Sequence, residues 1–407
     1  MTKFLKYTAI AAVLAATAQS AYADTPSTKG GLTIKSDDGR FEASVGGRIH
    51  FDGALLNADN SQTANNENSG FYFRRVFISL KGKAYGSWSY QIDEDISNTT
   101  NPASGFNDVW LAKSFGDNTV YFGQRKPFRS LDEIASNNDT VFMERNVMGA
   151  NGLLGGRDYT NGIYYKYAAN NLYIGASGYS QTKAGNGNTE GAGLNTRVAF
   201  APINADGTTV HVGASYSVDQ FDLGGGKPGF GNPKAGYVTS YSKSGAEFKV
   251  FSGFATTTGT AKINTMTLEA LGIIGPVFLQ GEYGSAKYKK DGDAKDGQKV
   301  DAFSATASFV VFGGARTYKA GDATYGAVKL EGVDGAVEVA LRYDNIKNKD
   351  TDAKVNALTV GANYYVNPNV RFMVDYSLAK AENTDGLKVG ETDAKPKALM
   401  ARAQIAF

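Results

Sequence analysis

The last nine residues, Leu399-Met400-Ala401-Arg402-Ala403-Gln404-Ile405-Ala406-Phe407, alternate apolar and polar side chains down to a terminal aromatic. A period of two belongs to a strand with one apolar face and one wet face. The pattern recurs. From Arg40 to Asp52, Phe41, Ala43, Val45, Gly47, Ile49 and Phe51 share one face, and Arg40, Glu42, Ser44, Gly46, Arg48, His50 and Asp52 share the other. Trp88, Tyr90, Ile92 and Glu94 alternate with Ser87, Ser89, Gln91, Asp93 and Asp95. Val337, Val339, Leu341 and Tyr343 alternate with Glu338, Arg342 and Asp344, and Val370, Phe372, Val374 and Tyr376 with Arg371 and Asp375. Such segments run roughly nine to thirteen residues, longer than sandwich strands and long enough, when tilted, to cross a bilayer.

The amino terminus points the same way. Lys3 and Lys6 precede an apolar run through about Ala18, and Ala21-Tyr22-Ala23 supplies a small-x-small cleavage pattern, so residues 1–23 read as a secretory signal. No later run of 18 apolar residues exists, which excludes a helical membrane protein. A terminal aromatic on an alternating strand is a habit of proteins inserted into a bacterial outer membrane. The absence of Cys fits export to an oxidising compartment. Removing residues 1–23 takes Lys3 and Lys6 and no acid from 42 basic and 40 acidic side chains, leaving a formally neutral chain with no argument for a nucleic-acid partner.

Connections alternate in length. Tight ones are expected at Tyr85-Gly86, Gly116-Asp117-Asn118, Ala169-Asn170-Asn171, Gly275-Pro276 and Asn367-Pro368-Asn369; long polar ones near 57–70, 97–106, 182–192, 219–234, 288–299, 345–354 and 382–395. Short periplasmic turns and long external loops mark an outer-membrane barrel. The expected organisation is a signal (1–23), a short leader (24–38) and one all-β domain (39–407), a transmembrane antiparallel β-barrel. Its strand number is 16, or 18 if 235–255 adds a hairpin to the wall.

Several stretches carry a family likeness. Phe73-Arg74-Arg75-Val76-Phe77-Ile78, then Gly123-Gln124-Arg125-Lys126-Pro127-Phe128-Arg129-Ser130-Leu131-Asp132-Glu133, then Phe142-Met143-Glu144-Arg145, resemble the phosphate-selective porin O and P family. Val337-Glu338-Val339-Ala340-Leu341-Arg342-Tyr343 and Tyr365-Val366-Asn367-Pro368-Asn369-Val370-Arg371-Phe372 look like its closing strands. The likeness covers most of 40–407. It implies 16 strands, a homotrimer, a constriction loop at about 127–159 folded into the pore, and a route for phosphate-like anions. It also implies that 313–333, with Arg316, Lys319 and Lys329, is a periplasmic segment able to enter the lumen. The best-known members line their channel with a staircase of arginines; this chain has none between Arg197 and Arg316, and matches Arg48, Arg74 and Arg75.

Ring closure adds an expectation from the residues alone. The last strand must pair with the first, so Arg371, Arg402, Arg48 and Arg75 fall on four consecutive staves as a basic strip. Asp132, Glu133, Asp139 and Glu144 on the constriction loop would face it across an aqueous gap. The alternative is that these arginines pair with Glu42, Asp52 and Asp375 on neighbouring strands. Parity turns Arg74 outward. Phe71, Tyr72, Tyr85, Tyr164 and Tyr364 are expected in the interfacial girdles.

The expected function is a passive channel for small hydrophilic solutes, seated among outer-membrane lipid and lipopolysaccharide, with a preference for inorganic anions such as phosphate. Arg48, Arg75, Arg125, Lys126, Arg129 and Arg145 would bias the passing charge at the constriction. The alternatives are a weakly selective porin and a non-conducting structural or adhesive barrel. His50 and His211 sit in alternating strands without a partner at diagnostic spacing, so an enzyme is not expected. Neither a cofactor nor a metal is expected; the cluster Asp291 to Asp296 lacks calcium-loop spacing and reads as an exposed loop.

Overall fold

The computed structural model describes residues 32–62, 69–97, 105–150, 159–181, 191–205, 207–223, 232–239, 245–332 and 335–407. The signal and most of the leader lie outside the described residues.

The chain is almost entirely strand. In order these are β1 (Leu32–Lys35), β2 (Phe41–Asn57), β3 (Gly70–Ala84), β4 (Trp88–Asp95), β5 (Phe106–Phe115), β6 (Asn118–Arg125), β7 (Thr160–Ala169) and β8 (Leu172–Ser180). There follow β9 (Ala192–Ala205), β10 (Thr208–Leu223), β11 (Ala235–Val238), β12 (Glu247–Phe251), β13 (Gly259–Ile274), β14 (Val277–Lys289) and β15 (Lys299–Phe312). The last are β16 (Gly314–Lys319), β17 (Thr324–Leu330), β18 (Ala336–Asn348), β19 (Lys354–Tyr365), β20 (Val370–Glu382), β21 (Asp393–Ala394) and β22 (Lys397–Ala406). Sixteen of them, β2–β10, β13–β15, β18–β20 and β22, pair antiparallel in a closed ring sealed by β22 against β2. β1 and β21 add short pairings to β2 and β20.

The barrel therefore has 16 staves and not 18. The segment 235–255 does form a hairpin, β11–β12, but it stays out of the wall: it pairs with itself and, through a single bridge from Lys249, with Asp385 in the loop after β20. It packs inside the long-loop end, where Phe251 stacks on Tyr288 with ring centroids 4.0 Å apart. Alternation sorts the walls as the sequence requires: Phe51, Leu268, Leu279, Leu341, Phe372 and Leu399 are exposed to the outside, and Asp52, Glu269, Gln280, Arg342, Arg371 and Arg402 are buried on the inside. Tight turns use left-handed residues, Tyr85 with Gly86 and Asn170 with Asn171, which match the twist of a two-residue hairpin.

The wall is uneven. β4 to β8 have eight to ten residues each, whereas β9, β10 and β13 to β15 have thirteen to sixteen. Three side-chain placements differ from the sequence expectation. The register slips between His50 and Phe51, which face Arg75 and Phe73, so Arg74 is the extra residue of a β-bulge and turns inward with Arg75. Tyr72 and Tyr164 also point inward, Tyr72 against the cluster containing Met143 and Tyr164 fully buried; Phe71, Tyr85 and Tyr364 are exposed.

Candidate functional site

Residues 126–150 run inside the barrel, where a chain without a ladder must find partners for its backbone groups. The wall provides them. Asp375 accepts the Met143 N–H at 2.7 Å, Asp344 that of Val147 at 3.1 Å and Glu282 that of Asp132 at 3.3 Å. Arg371 donates to the Thr140 carbonyl at 2.7 Å, Asn363 to Val141 at 2.9 Å, Arg402 to Met143 at 2.7 Å and Arg342 to Glu144 at 2.9 Å. One helical turn, Leu131–Ile134, starts at Ser130, whose hydroxyl accepts the Glu133 N–H.

This packing leaves no aqueous gap between most of the basic strip and the loop. Arg402 pairs with Asp52 through two hydrogen bonds of 2.7 Å, and both are fully buried. Glu144 projects from the loop into a nest of guanidinium groups: Arg74 at 2.8 Å, Arg402 at 3.2 Å and Arg75 at 3.9 Å. Arg129 is 1% exposed, bonded to Asp219 at 2.9 Å and Tyr179 at 3.0 Å, with Glu133 at 3.8 Å. Asp132 accepts from Tyr325 at 2.6 Å, and Asp139 pairs with Lys319. Of the expected cross-strand pairings, Asp52 holds an arginine; Asp375 instead accepts a loop amide and Glu42 pairs with Lys35.

The open space lies on the opposite side of the loop, a cavity of about 410 Å³ against β2 and β4 to β8. Six basic side chains border it: Arg48, Arg125, Lys126, Arg145, Lys166 and Lys319. Three acids do, Asp93, Asp108 and Asp322, and Asp322 already pairs with Lys166 at 3.0 Å. Among the described residues Arg48 makes no hydrogen bond or ion pair; its guanidinium lies 4.7 Å from the Phe77 ring. Arg125 is stacked among Tyr121 at 4.0 Å, Phe128 at 4.7 Å and Tyr164 at 5.5 Å, with two of its nitrogens buried and lacking an acceptor. Arg145 braces the loop through the Ala135 carbonyl and Asn137, each at 2.7 Å.

Of the expected site residues, then, Arg48, Arg125, Lys126 and Arg145 meet around one space, while Arg75, Arg129, Arg371 and Arg402 sit between loop and wall. Lys166 went unread, although it shares the inward parity of Tyr164 on β7. Lys319 arrives on the β16–β17 hairpin, which enters the lumen from the short-turn end. Arg316 fixes that hairpin, donating to Glu338 at 2.8 Å and to the Asp139 carbonyl at 2.7 Å. His211 helps: its ring nitrogens lie 2.8 Å from the Tyr318 hydroxyl and 3.0 Å from Glu269. His50 faces Asn138 at 3.3 Å.

The sequence profile described as phosphate-selective porin O and P matches residues 44–407. Porin O of Pseudomonas aeruginosa is 30% identical over 408 residues, which span 93% of this chain and 92% of that protein. Among solved structures, the anion-selective porin from Comamonas acidovorans superposes with a TM-score of 0.58 at 16% identity, over 90% of this chain and 100% of that one. The trimer form of OmpT from Vibrio cholerae gives 0.54 at 11% identity, over 90% and 99%.

Proposed function

The chain belongs to the phosphate-selective porin O and P family and is an outer-membrane channel rather than an enzyme, and we propose that it passes small hydrophilic anions, phosphate among them, between its inward loop and the β2 to β8 wall. The observation that carries the preference is the lining itself: six basic side chains against three acids, and with the pairs Lys166–Asp322 and Lys319–Asp139 set aside, Arg48, Arg125, Lys126 and Arg145 against Asp93 and Asp108. In a narrow aqueous gap with low-dielectric walls such an imbalance favours anions, and does so less at high salt. The mechanism is passive: loop and wall set the width, and Arg48, Arg125, Lys126 and Arg145 set the sign.

Residues 1–23 act as the export signal, and the working unit is a homotrimer. The low wall of β4 to β8 supports the second statement, because strands of eight to ten residues cover less of the bilayer and suit contact with another protein. Outer-membrane lipid then covers the tall side.

The test is the reversal potential of purified protein across a planar bilayer in a KCl gradient, repeated with added phosphate. A chloride-favouring potential with phosphate-dependent block supports the reading. A potential at or beyond zero toward potassium would leave a general porin, and an absence of channels would leave a structural barrel.

A further inference from the structure

Among the described residues, the basic side chains at the long-loop end of the outer surface lie on one half only. At the long-loop ends of the tall staves, Lys262 on β13, Lys287 and Lys289 on β14, Lys299 on β15, Lys347 on β18, Lys354 on β19, Lys380 on β20 and Lys397 on β22 all have outward parity. At the same height on β2 to β10, the outward positions of the described residues hold Leu55, Phe73, Glu94, Phe122, Ile163, Leu194 and Gln220, and no lysine or arginine.

The lysines are opposed to one another. Lys262 faces Lys289 across β13–β14, Lys287 faces Lys299 across β14–β15, and Lys347 faces Lys354 across β18–β19. Directly opposed residues bring their Cβ atoms to about 5 Å, and like charges there destabilise a sheet. Lys354 is compensated by Glu382 at 2.9 Å, but Lys262, Lys287, Lys289, Lys299 and Lys347 make no ion pair among the described residues. Asp301 on β15, opposite Lys347, pairs with Lys349 at 3.7 Å, and the four ammonium groups of Lys262, Lys287, Lys289 and Lys299 on three adjacent staves form a positive patch suited to an anion.

The surface beneath supplies the rest. On the same outer face a shallow apolar groove of about 580 Å³ is floored by Ala270, Gly272, Gly281 and Ala305 and walled by Leu279 and Leu341. Gly281 and Ala305 lie six residues below Lys287 and Lys299, roughly 20 Å along the strands. Ammonium donors for phosphate at the rim and a groove at acyl-chain depth define one ligand.

We propose that Lys262, Lys287, Lys289 and Lys299 bind the phosphate groups of an outer-leaflet glycolipid whose acyl chains lie in the groove between β10 and β18. The site serves attachment to the lipid rather than conduction, and it stands whether or not the channel prefers anions.

The test compares an acylated, bis-phosphorylated glucosamine disaccharide with its dephosphorylated form, counted on the detergent-purified protein by native mass spectrometry. The phosphorylated lipid should bind at least tenfold tighter, its advantage shrinking as NaCl is added. K262Q/K287Q/K289Q/K299Q should lose that advantage while keeping its conductance and reversal potential. In lipid-free detergent the variant should melt no lower than the parent, because neutralising opposed lysines relieves repulsion. If it fails to fold, K262Q/K289Q alone should lose part of the advantage. Equal binding of the two lipids, full retention by the folded variants, or displacement of the lipid by millimolar inorganic phosphate would overturn the proposal.

Discussion

Arg402 and Asp52 face each other across the seam where the last stave meets the first, and their two 2.7 Å hydrogen bonds close the barrel. The same guanidinium donates to the Met143 carbonyl, so closure of the ring and seating of the constriction loop share one side chain. Truncating one partner of a buried ion pair costs about 3–5 kcal/mol, since the other charge stays behind. Arg402→Ala should lower the melting temperature in detergent and raise single-channel conductance as the loop loosens. An apolar pair, Asp52→Leu with Arg402→Met, should recover most of the stability and none of the loop seating, so its conductance stays high. Unchanged conductance in both would show that the loop does not depend on this contact.

Arg48 and Arg125 act on the charge of the passing ion and on little else. Neither has an ion-pair partner among the described residues, and the carboxylate of Asp108 on the same cavity keeps Lys126 nearby when either is neutralised. A unit charge a few ångströms from an ion's path at intermediate dielectric is worth about 1 kcal/mol or more, which is roughly fivefold in relative permeability. Arg48→Gln should reduce the chloride-to-potassium permeability ratio by about that factor at low salt, and by less at 1 M KCl. Arg371→Gln, which removes a loop anchor, should instead alter stability and conductance. The bi-ionic or gradient reversal potential of each variant separates the two roles.

How much of this was legible in the sequence follows from what alternation encodes. Parity gave the inside and outside of β2, β20 and β22, and therefore the inward placement of Arg48, Arg371 and Arg402. It could not tell whether an inward arginine meets water or a folded-in loop, because both demand a polar side chain there. Arg371 bonds the Thr140 carbonyl while Arg48 faces the cavity, yet each reads as one charged residue on an alternating strand. Arg74 failed for a local reason: one extra residue in a bulge reverses parity, and adjacent arginines carry no mark of it. Lys166 was missed because Tyr164, of the same parity on β7, was read as a girdle residue and points inward, whereas the entry of Lys319 was expected only through the family resemblance, since the alternation of the wall says nothing of a hairpin from the other end.

In the loop between β14 and β15, Asp293 accepts the backbone N–H groups of Thr256 at 2.8 Å and Lys295 at 2.9 Å, and Asp296 accepts that of Lys290 at 2.6 Å. Partial burial raises the Asp293 carboxyl pKa, but the backbone bonds from Thr256 and Lys295 outweigh it and hold it below the ordinary value of 3.8. A depressed carboxyl contributes stability that is present above its unfolded pKa and lost as pH falls through the folded value. Hydrogen exchange at Thr256 and Lys295, corrected for intrinsic rates, should therefore stay slow while the carboxylate is ionised and accelerate as pH falls through its lowered pKa. Asp293→Asn should exchange faster already at neutral pH. Millimolar calcium should change neither, since these carboxylate oxygens are engaged by backbone.

Gly361 on β19 marks where the loop's aromatic anchor sits. A Cβ there would come within 2.6 Å of the Asp375 carboxylate and 3.0 Å of the Phe142 ring, and Phe142 is 2% exposed, packed under the same wall that bonds the Val141 carbonyl and the Met143 amide. Gly361→Val therefore forces a choice between moving Asp375, which would free the Met143 N–H, and moving Phe142, which would lift the loop. Overpacking of this kind costs about 1–3 kcal/mol. Because the strand itself continues through Asn363 and Thr359, the cost should fall on the loop rather than on the ladder. The expected signature is higher conductance, weaker anion preference as Lys126 and Arg145 shift with the loop, and a barrel that still migrates as folded in unheated gels. Phe142→Ala in the same background should relieve the clash and return conductance part of the way. If Gly361→Val alone leaves conductance and selectivity unchanged, the loop is not held from this wall, and the width of the passage must be set from the β16–β17 side.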